Sequence, residues 1–208
     1  MSMDITFLGT GAAYPSPSRG ASALVLRRDG ECWLFDCGEG TQTQLMRSPL
    51  RAGRITKIFI THLHGDHLFG LPGLLSTLAL RSAPEPPRPV DIYGPAGLRE
   101  FVRSSLELSH TPPPFPCAVH ELLPTPEQCP DGAGLGSLSA GSEGAAVPGP
   151  AGRTLSLRPG QTSYLLEEDE QLELRAFRLF HRVPSFGFVL REKPRPGRLD
   201  VQRLRDLG

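Results

Sequence analysis

No charge of either sign is in excess in this chain: lysine plus arginine and aspartate plus glutamate number 22 each among 208 residues. That balance excludes a global positive field, so any nucleic acid has to be held locally, by clustered arginines, metal ions and backbone amides. Also missing is an apolar run of the roughly 18 residues needed to span a membrane. Residues 1–7 lack the basic-then-apolar layout of a secretion signal, and the chain reads as soluble and intracellular. Cysteine is sparse. Cys32, Cys37, Cys117 and Cys129 are spaced like neither a zinc ribbon nor a disulfide framework, so they are expected as free thiols in a reducing compartment. Glycine and proline are plentiful, at 23 and 22, and the length suffices for one large domain or two small ones with a sizeable core.

The pattern along the chain predicts a short strand at residues 5–8, stopped by Gly9-Thr10-Gly11. Residues 15–20 carry Pro15, Pro17 and Gly20 and read as a loop with a basic tip. Residues 23–26 and 32–35 pair as a hairpin around Asp29-Gly30, and residues 40–46 have helical character. The β-branched and aromatic run at 55–60 predicts a buried strand. Residues 68–80 are apolar at helical spacing, with Pro72 and Gly73 disturbing the first turns. A strand at 90–93 and a helix at 98–108 follow. From 130 to 153 the composition collapses to Gly, Ala, Ser and Pro, which predicts a flexible loop without chemistry. Strands are expected at 163–166, 172–179 and 186–190, then a basic extended tail and a short helix at 201–207. This order implies an α/β protein, a mixed sheet with helices packed outside.

Three of the six histidines fall in Thr61-His62-Leu63-His64-Gly65-Asp66-His67. His62 and His64 are two apart, so in extended chain their rings leave on one side. Asp66 and His67 follow at the turn into the next helix. Imidazole nitrogen and carboxylate oxygen suit zinc, and four donors on one turn can serve two ions: His62 with His64, and Asp66 with His67. A lone histidine would more often be an ordinary surface residue; the whole pattern directly after a buried strand points to metal.

The stretch from Thr61 to His67 resembles the signature of the metallo-β-lactamase superfamily, and Asp36 in Phe35-Asp36-Cys37-Gly38-Glu39-Gly40 matches its earlier acidic motif. Within that superfamily the chain looks like short-form tRNase Z. Residues 7–11, 34–42, 58–75 and 181–187 carry the likeness, which covers nearly everything but the low-complexity stretch. The resemblance implies an αββα sandwich, of which this chain supplies the N-terminal half and little of the second half, as a single incomplete domain over 1–208. It implies a zinc endoribonuclease that removes the 3′ trailer of precursor tRNA by phosphodiester hydrolysis, with two Zn2+ per complete site. His62, His64 and His181 would hold one ion; Asp66 and His67 would hold the other, Asp66 also orienting or deprotonating the attacking water. Asp36 and Glu39 would support the ligands from behind, although Glu39 also reads as a carboxylate placed at a helix N-terminus. Arg19, in the loop where the family carries a tRNA-end-binding motif, would hold phosphate or a terminal base; only Pro15 and Arg19 match that motif, and a solvated loop arginine reads as well. A homodimer without membrane attachment, cytoplasmic or nuclear, goes with the family.

The ligand count does not close. The family bridges its metals with a later aspartate and adds a final histidine, whereas after His181 this chain has only Asp200 and Asp206 and no histidine. His110 and His120 could in principle fill the gap, but they lie beside a proline-rich segment and read as surface histidines. Residues 193–208 would begin the protruding tRNA-binding arm. The chain is therefore expected to be truncated, to expose one apolar sheet face, and to be weakly active or inactive alone. The alternatives are a non-catalytic form acting through a partner or RNA, and another hydrolase of this fold, such as a thioesterase.

Overall fold

The computed structural model describes residues 2–80, 88–129 and 151–194. Three antiparallel strands open the chain: β1 (Met3–Gly9), β2 (Ala23–Arg28) and β3 (Glu31–Phe35). The β2–β3 turn needs positive φ at both central residues, and Asp29 and Gly30 supply 46° and 87°. Next come α1 (Thr41–Arg47), β4 (Ile55–Phe59), α2 (Gly65–Leu68), α3 (Leu71–Leu80), β5 (Val90–Pro95), α4 (Leu98–Leu108), β6 (Cys117–Leu122) and β7 (Thr154–Leu155). The strands from β3 to β7 pair in parallel, completing a seven-stranded sheet whose spatial order is the sequence order. A second, antiparallel sheet holds β8 (Ser163–Glu168), β9 (Leu172–Leu179) and β10 (Ser185–Glu192) in the order β10-β9-β8.

Alternation along the central strands divides their side chains between two cores. Val25, Leu34, Ile58, Ile92 and Val119 face the helices. Their neighbours Leu26, Trp33, Phe59 and Tyr93 face the second sheet and pack on Tyr164, Leu174 and Phe186. Both faces are buried, which is why these strands read as nearly continuous apolar runs. The helix α4 is amphipathic: Leu98, Val102 and Leu106 are buried at four-residue spacing, with Arg103 on the outer face between Glu100 and Glu107.

Several expectations change. The apolar face of the large sheet is not bare, because β8 to β10 cover it with a core of their own. The apolar segment at 68–80 divides at Gly70, where a Cβ would lie 2.1 Å from the Gly38 carbonyl oxygen. The following helix α3 then takes Pro72 in its first turn, where a missing N–H is tolerated. The strand β6, hidden in sequence by the prolines before it, pairs in register with β5 and puts His120 opposite Tyr93. His120 is thus buried rather than a surface residue, donating from Nε2 to Asp91 (3.0 Å) and accepting the Arg153 N–H at Nδ1 (3.1 Å). His110 is exposed, as expected. Residues 151–153 belong to ordered chain: Val119 N–H donates to Ala151 and Glu121 N–H to Arg153. The remainder of the low-complexity stretch, the proposed arm from 195 onward, Asp200 and Asp206 lie outside the described residues.

Candidate metal centre

The parallel strands β3 and β4 end side by side, and the motif begins at their carboxyl ends, the usual place for a ligand in an open α/β sheet. Asp36 follows β3 in the left-handed region (φ 57°), a conformation that aspartate tolerates better than most residues. That turn aims its carboxylate back at the motif. Oδ1 accepts the Thr61 N–H (2.8 Å) and hydroxyl (2.9 Å), and Oδ2 takes the His67 Nδ1 proton at 2.6 Å. With Thr61 Oγ1 donating to the carboxylate, it accepts from His62 Nδ1 at 2.9 Å. These bonds fix both tautomers, so His62 and His67 each turn an Nε2 lone pair outward. The Thr61 hydroxyl is a functional group that sequence reasoning missed; its place directly before the first histidine, at a strand end, was the available signal.

His181 arrives from the turn after β9, steered by a backbone bond from Phe186 N–H to the Thr61 carbonyl (2.9 Å). The donor atoms of His62, His64 and His181 all lie within 4.8 Å of one another. His181 Nε2 is 3.2 Å from His64 Nδ1, and His67 Nε2 is 3.3 Å from Asp66 Oδ2. Donors about 2.0–2.1 Å from a tetrahedral zinc stand roughly 3.3 Å apart. The two pairs therefore have the separation that one zinc ion apiece requires. Asp66 Oδ2 also accepts the Ala13 N–H at 2.7 Å, tying the 11–15 loop to the site. Among the described residues, no further donor joins Asp66 and His67, and His110 and His120 are not brought to them.

The electrostatics favour neutral imidazoles at His62 and His64 and a proton on His67. Burial, helped by neighbouring His67, pushes His62 down to about 4. His64 is lowered by burial and by the Arg182 guanidinium. Burial also opposes protonation of His67, but the Asp36 hydrogen bond and the Asp36 and Asp66 charges outweigh it and hold that histidine above its ordinary value. Asp66 loses solvation, yet the Ala13 N–H and the His67 charge leave it below the usual carboxylate range. Cys37, buried beside the site, has its thiol pushed up to about 12 by burial and joins no donor cluster among the described residues; all four cysteines are free.

The histidines and Asp66 floor an open cleft of about 640 Å3 with Tyr14, Phe69 and Arg182 on its rim. Glu39 is exposed, lines that cleft and touches none of the donors; it lies just before the Gly40 cap of α1 and outside the helix. Arg19 closes a tight turn with Ser16 through its backbone (2.8 and 3.2 Å), and its side chain is not part of the cleft lining.

The family described as anti-Pycsar protein Apyc1 matches residues 3–107. Over its whole length the chain is 62% identical to the bovine protein named zinc phosphodiesterase ELAC protein 1, covering 58% of that relative. It is 40% identical to ribonuclease Z of Synechococcus sp. (strain WH7803), with 99% of this chain and 53% of the relative covered. The chain thus spans little more than half the length of these relatives. The crystal structure of human tRNase Z, short form (ELAC1), superposes with a TM-score of 0.76 at 60% identity, over 91% of this chain and 64% of that one. The metallo-β-lactamase fold protein YhfI of Bacillus subtilis shares the fold at 14% identity and a TM-score of 0.53, over 91% of this chain and 58% of that one.

Proposed function

The chain belongs to the family described as anti-Pycsar protein Apyc1 and is a metallo-β-lactamase-fold homologue of short-form tRNase Z; from that premise we propose that it carries the zinc site of an endoribonuclease that removes the 3′ trailer of precursor tRNA. The observation supporting this most directly is the facing of donors, His62, His64 and His181 on one side and Asp66 with His67 on the other. Zinc bound between them would lower the pKa of a water toward about 7 and neutralise charge on the phosphate.

The chain's own groups do the rest. Asp66, held ionised by the Ala13 N–H, orients the attacking water and takes its proton. Asp36 and Thr61 keep the rings of His62 and His67 in the ligating tautomer. Arg182, close enough to depress His64, supplies positive charge for a phosphate. Cleavage on the trailer side leaves a tRNA 3′-hydroxyl and a 5′-phosphorylated trailer. Two ions, a homodimer in the full-length protein, and work in cytosol, nucleus or both complete the reading; no helix among the described residues is long and apolar enough to cross a membrane.

A second reading is favoured by one observation: Asp66 and His67 are joined by no third metal donor among the described residues. On that reading the chain is a non-catalytic form acting through RNA or a full-length copy. Zinc content of the purified chain by mass spectrometry, with His62→Ala as control, separates the two. Two ions per chain, lost in the variant, and cleavage of precursor tRNA support the hydrolytic reading. One ion or none, without cleavage, overturns it for this chain and leaves the binding form.

A further inference from the structure

Exposed aromatic rings are few, and their placement is uneven. Among the described residues four are exposed: Phe7 on β1, then Tyr14 at 74%, Phe69 at 65% and Phe180 at 90%. Two of the four, Tyr14 and Phe69, line the cleft that holds the histidines, and a third is a chain neighbour of one of them. Tyr14 follows Ala13, whose N–H holds Asp66. Phe69 stands two residues beyond His67. Phe180 directly precedes His181, so its Cα is about 3.8 Å from that of a donor residue. Tyr14 and Phe69 line the rim of the cleft together with Arg182.

Their environments show that packing does not account for all three. Phe69 leans on Gly65, where a Cβ would meet its ring at 2.4 Å, and lies parallel to Phe101 at 6.4 Å. That fixes the ring's orientation and leaves most of it in solvent. Among the described residues, the rings of Tyr14 and Phe180 have no ring contact, and the Tyr14 hydroxyl has no hydrogen bond. The Tyr14 backbone is nevertheless held, by its N–H on Ala12 (2.9 Å) and by the neighbouring Ala13 bond to Asp66. A backbone anchored to the site that presents an unpartnered ring is a platform for something flat.

We infer that Tyr14, with Phe69, stacks unpaired nucleobases beside the phosphate presented to the histidines, so that the cleft takes a single-stranded RNA tail and rejects a paired end. The inference rests on the hydrolytic reading for the position of that phosphate. The chemistry is that of single-strand binders: aromatic faces for bases of any sequence and a cation for the backbone, here Arg182. A base inside a helix has both faces covered by its neighbours, and the last pair of a blunt end offers a single face, locked in the plane of its partner, rather than a base free to turn onto the rings. An apolar acyl or peptide ligand would find the charges of Arg182 and Asp66 in the same cleft, where they would lose solvation without compensation.

The test is fluorescence anisotropy on the zinc-loaded 208-residue chain. The probes are an RNA hairpin with a short unpaired 3′ tail, the same hairpin with an abasic tail, and the blunt hairpin. The unaltered chain is expected to bind the base-bearing tail about 5- to 150-fold more tightly than the abasic one, the factor for stacking one base. Tyr14→Leu keeps apolar bulk without a ring and should lower that ratio, leaving the part that Phe69 supplies; Tyr14→Trp should keep it; zinc content should be normal in both. Equal binding of the two tails, no binding of the base-bearing tail, or an undiminished ratio in Tyr14→Leu overturns the inference. A tail preference in a chain that holds no zinc would sink the hydrolytic reading alone.

Discussion

Replacing Asp36 tests the site from behind the ligands. In Asp36→Ala the Thr61 N–H loses its 2.8 Å acceptor beside a carboxylate that is only 5% exposed. An orphaned buried donor costs about 1–3 kcal/mol. Alanine at φ 57° adds about 1 kcal/mol of left-handed strain, which Asp36→Gly relieves while removing the same acceptor. The metal-free chain should therefore lose about 2–4 kcal/mol as the alanine variant and about 1 kcal/mol less as the glycine variant, read by urea unfolding. Asp36→Asn isolates the chemistry. Its amide oxygen can still accept from Thr61, but its NH2 then faces His67 Nδ1, where a carboxylate now accepts at 2.6 Å. His67 should move its proton to Nε2, the nitrogen that faces Asp66, and lose its raised pKa. Long-range proton–nitrogen NMR reads tautomer and titration together, and a chelator competition should show zinc held about 10- to 100-fold more weakly. An unchanged His67 tautomer and pKa in Asp36→Asn would refute the idea that this carboxylate sets the ring.

Further outcomes follow from the same geometry. Gly38→Ala places a Cβ 2.1 Å from the Asp66 carbonyl oxygen, so the loop must shift; zinc content should fall although no ligand is changed. The metal-free chain should weaken in acid. His62 has a folded pKa of about 4 against an ordinary 6.5, so the unfolded chain binds more protons between those values, and stability present above pH 6.5 is lost as pH falls through about 4. His62→Gln should flatten that slope, worth on the order of 2–3 kcal/mol, in a pH series of unfolding curves. The His67 contribution has the opposite sign, being present below the ordinary histidine pKa and lost as pH rises through the raised folded value. Arg19→Ala, at a side chain outside the cleft lining, should lower precursor-tRNA affinity several-fold if that loop grips the RNA; unchanged affinity discards that role.

Much was legible in the sequence because it is local. The helix 98–108 and the strand 172–179 appear with the predicted bounds, since an apolar period sets which face is buried whatever it packs against. The motif from His62 to His67 needed no partner to be seen. What periodicity could not reach was the strand β6 behind its prolines, the buried pairing of His120 with Asp91, and the cover that β8 to β10 lay over the large sheet. All three depend on which strands lie side by side.

The division at the site is the same. By itself the chain's order of residues determined the types of the candidate ligands, the two-residue spacing of His62 and His64, and the acidic motif at Asp36. Tertiary structure alone decided that His181 reaches His64 from 117 residues away, that Asp36 meets His67 across 31, and that the Ala13 N–H meets Asp66 across 53. Metal donors must converge to a few ångströms, and no local preference carries a side chain across such separations. The burial of two apolar cores does, by holding the two sheets together so that the ends of β3, β4 and β9 meet.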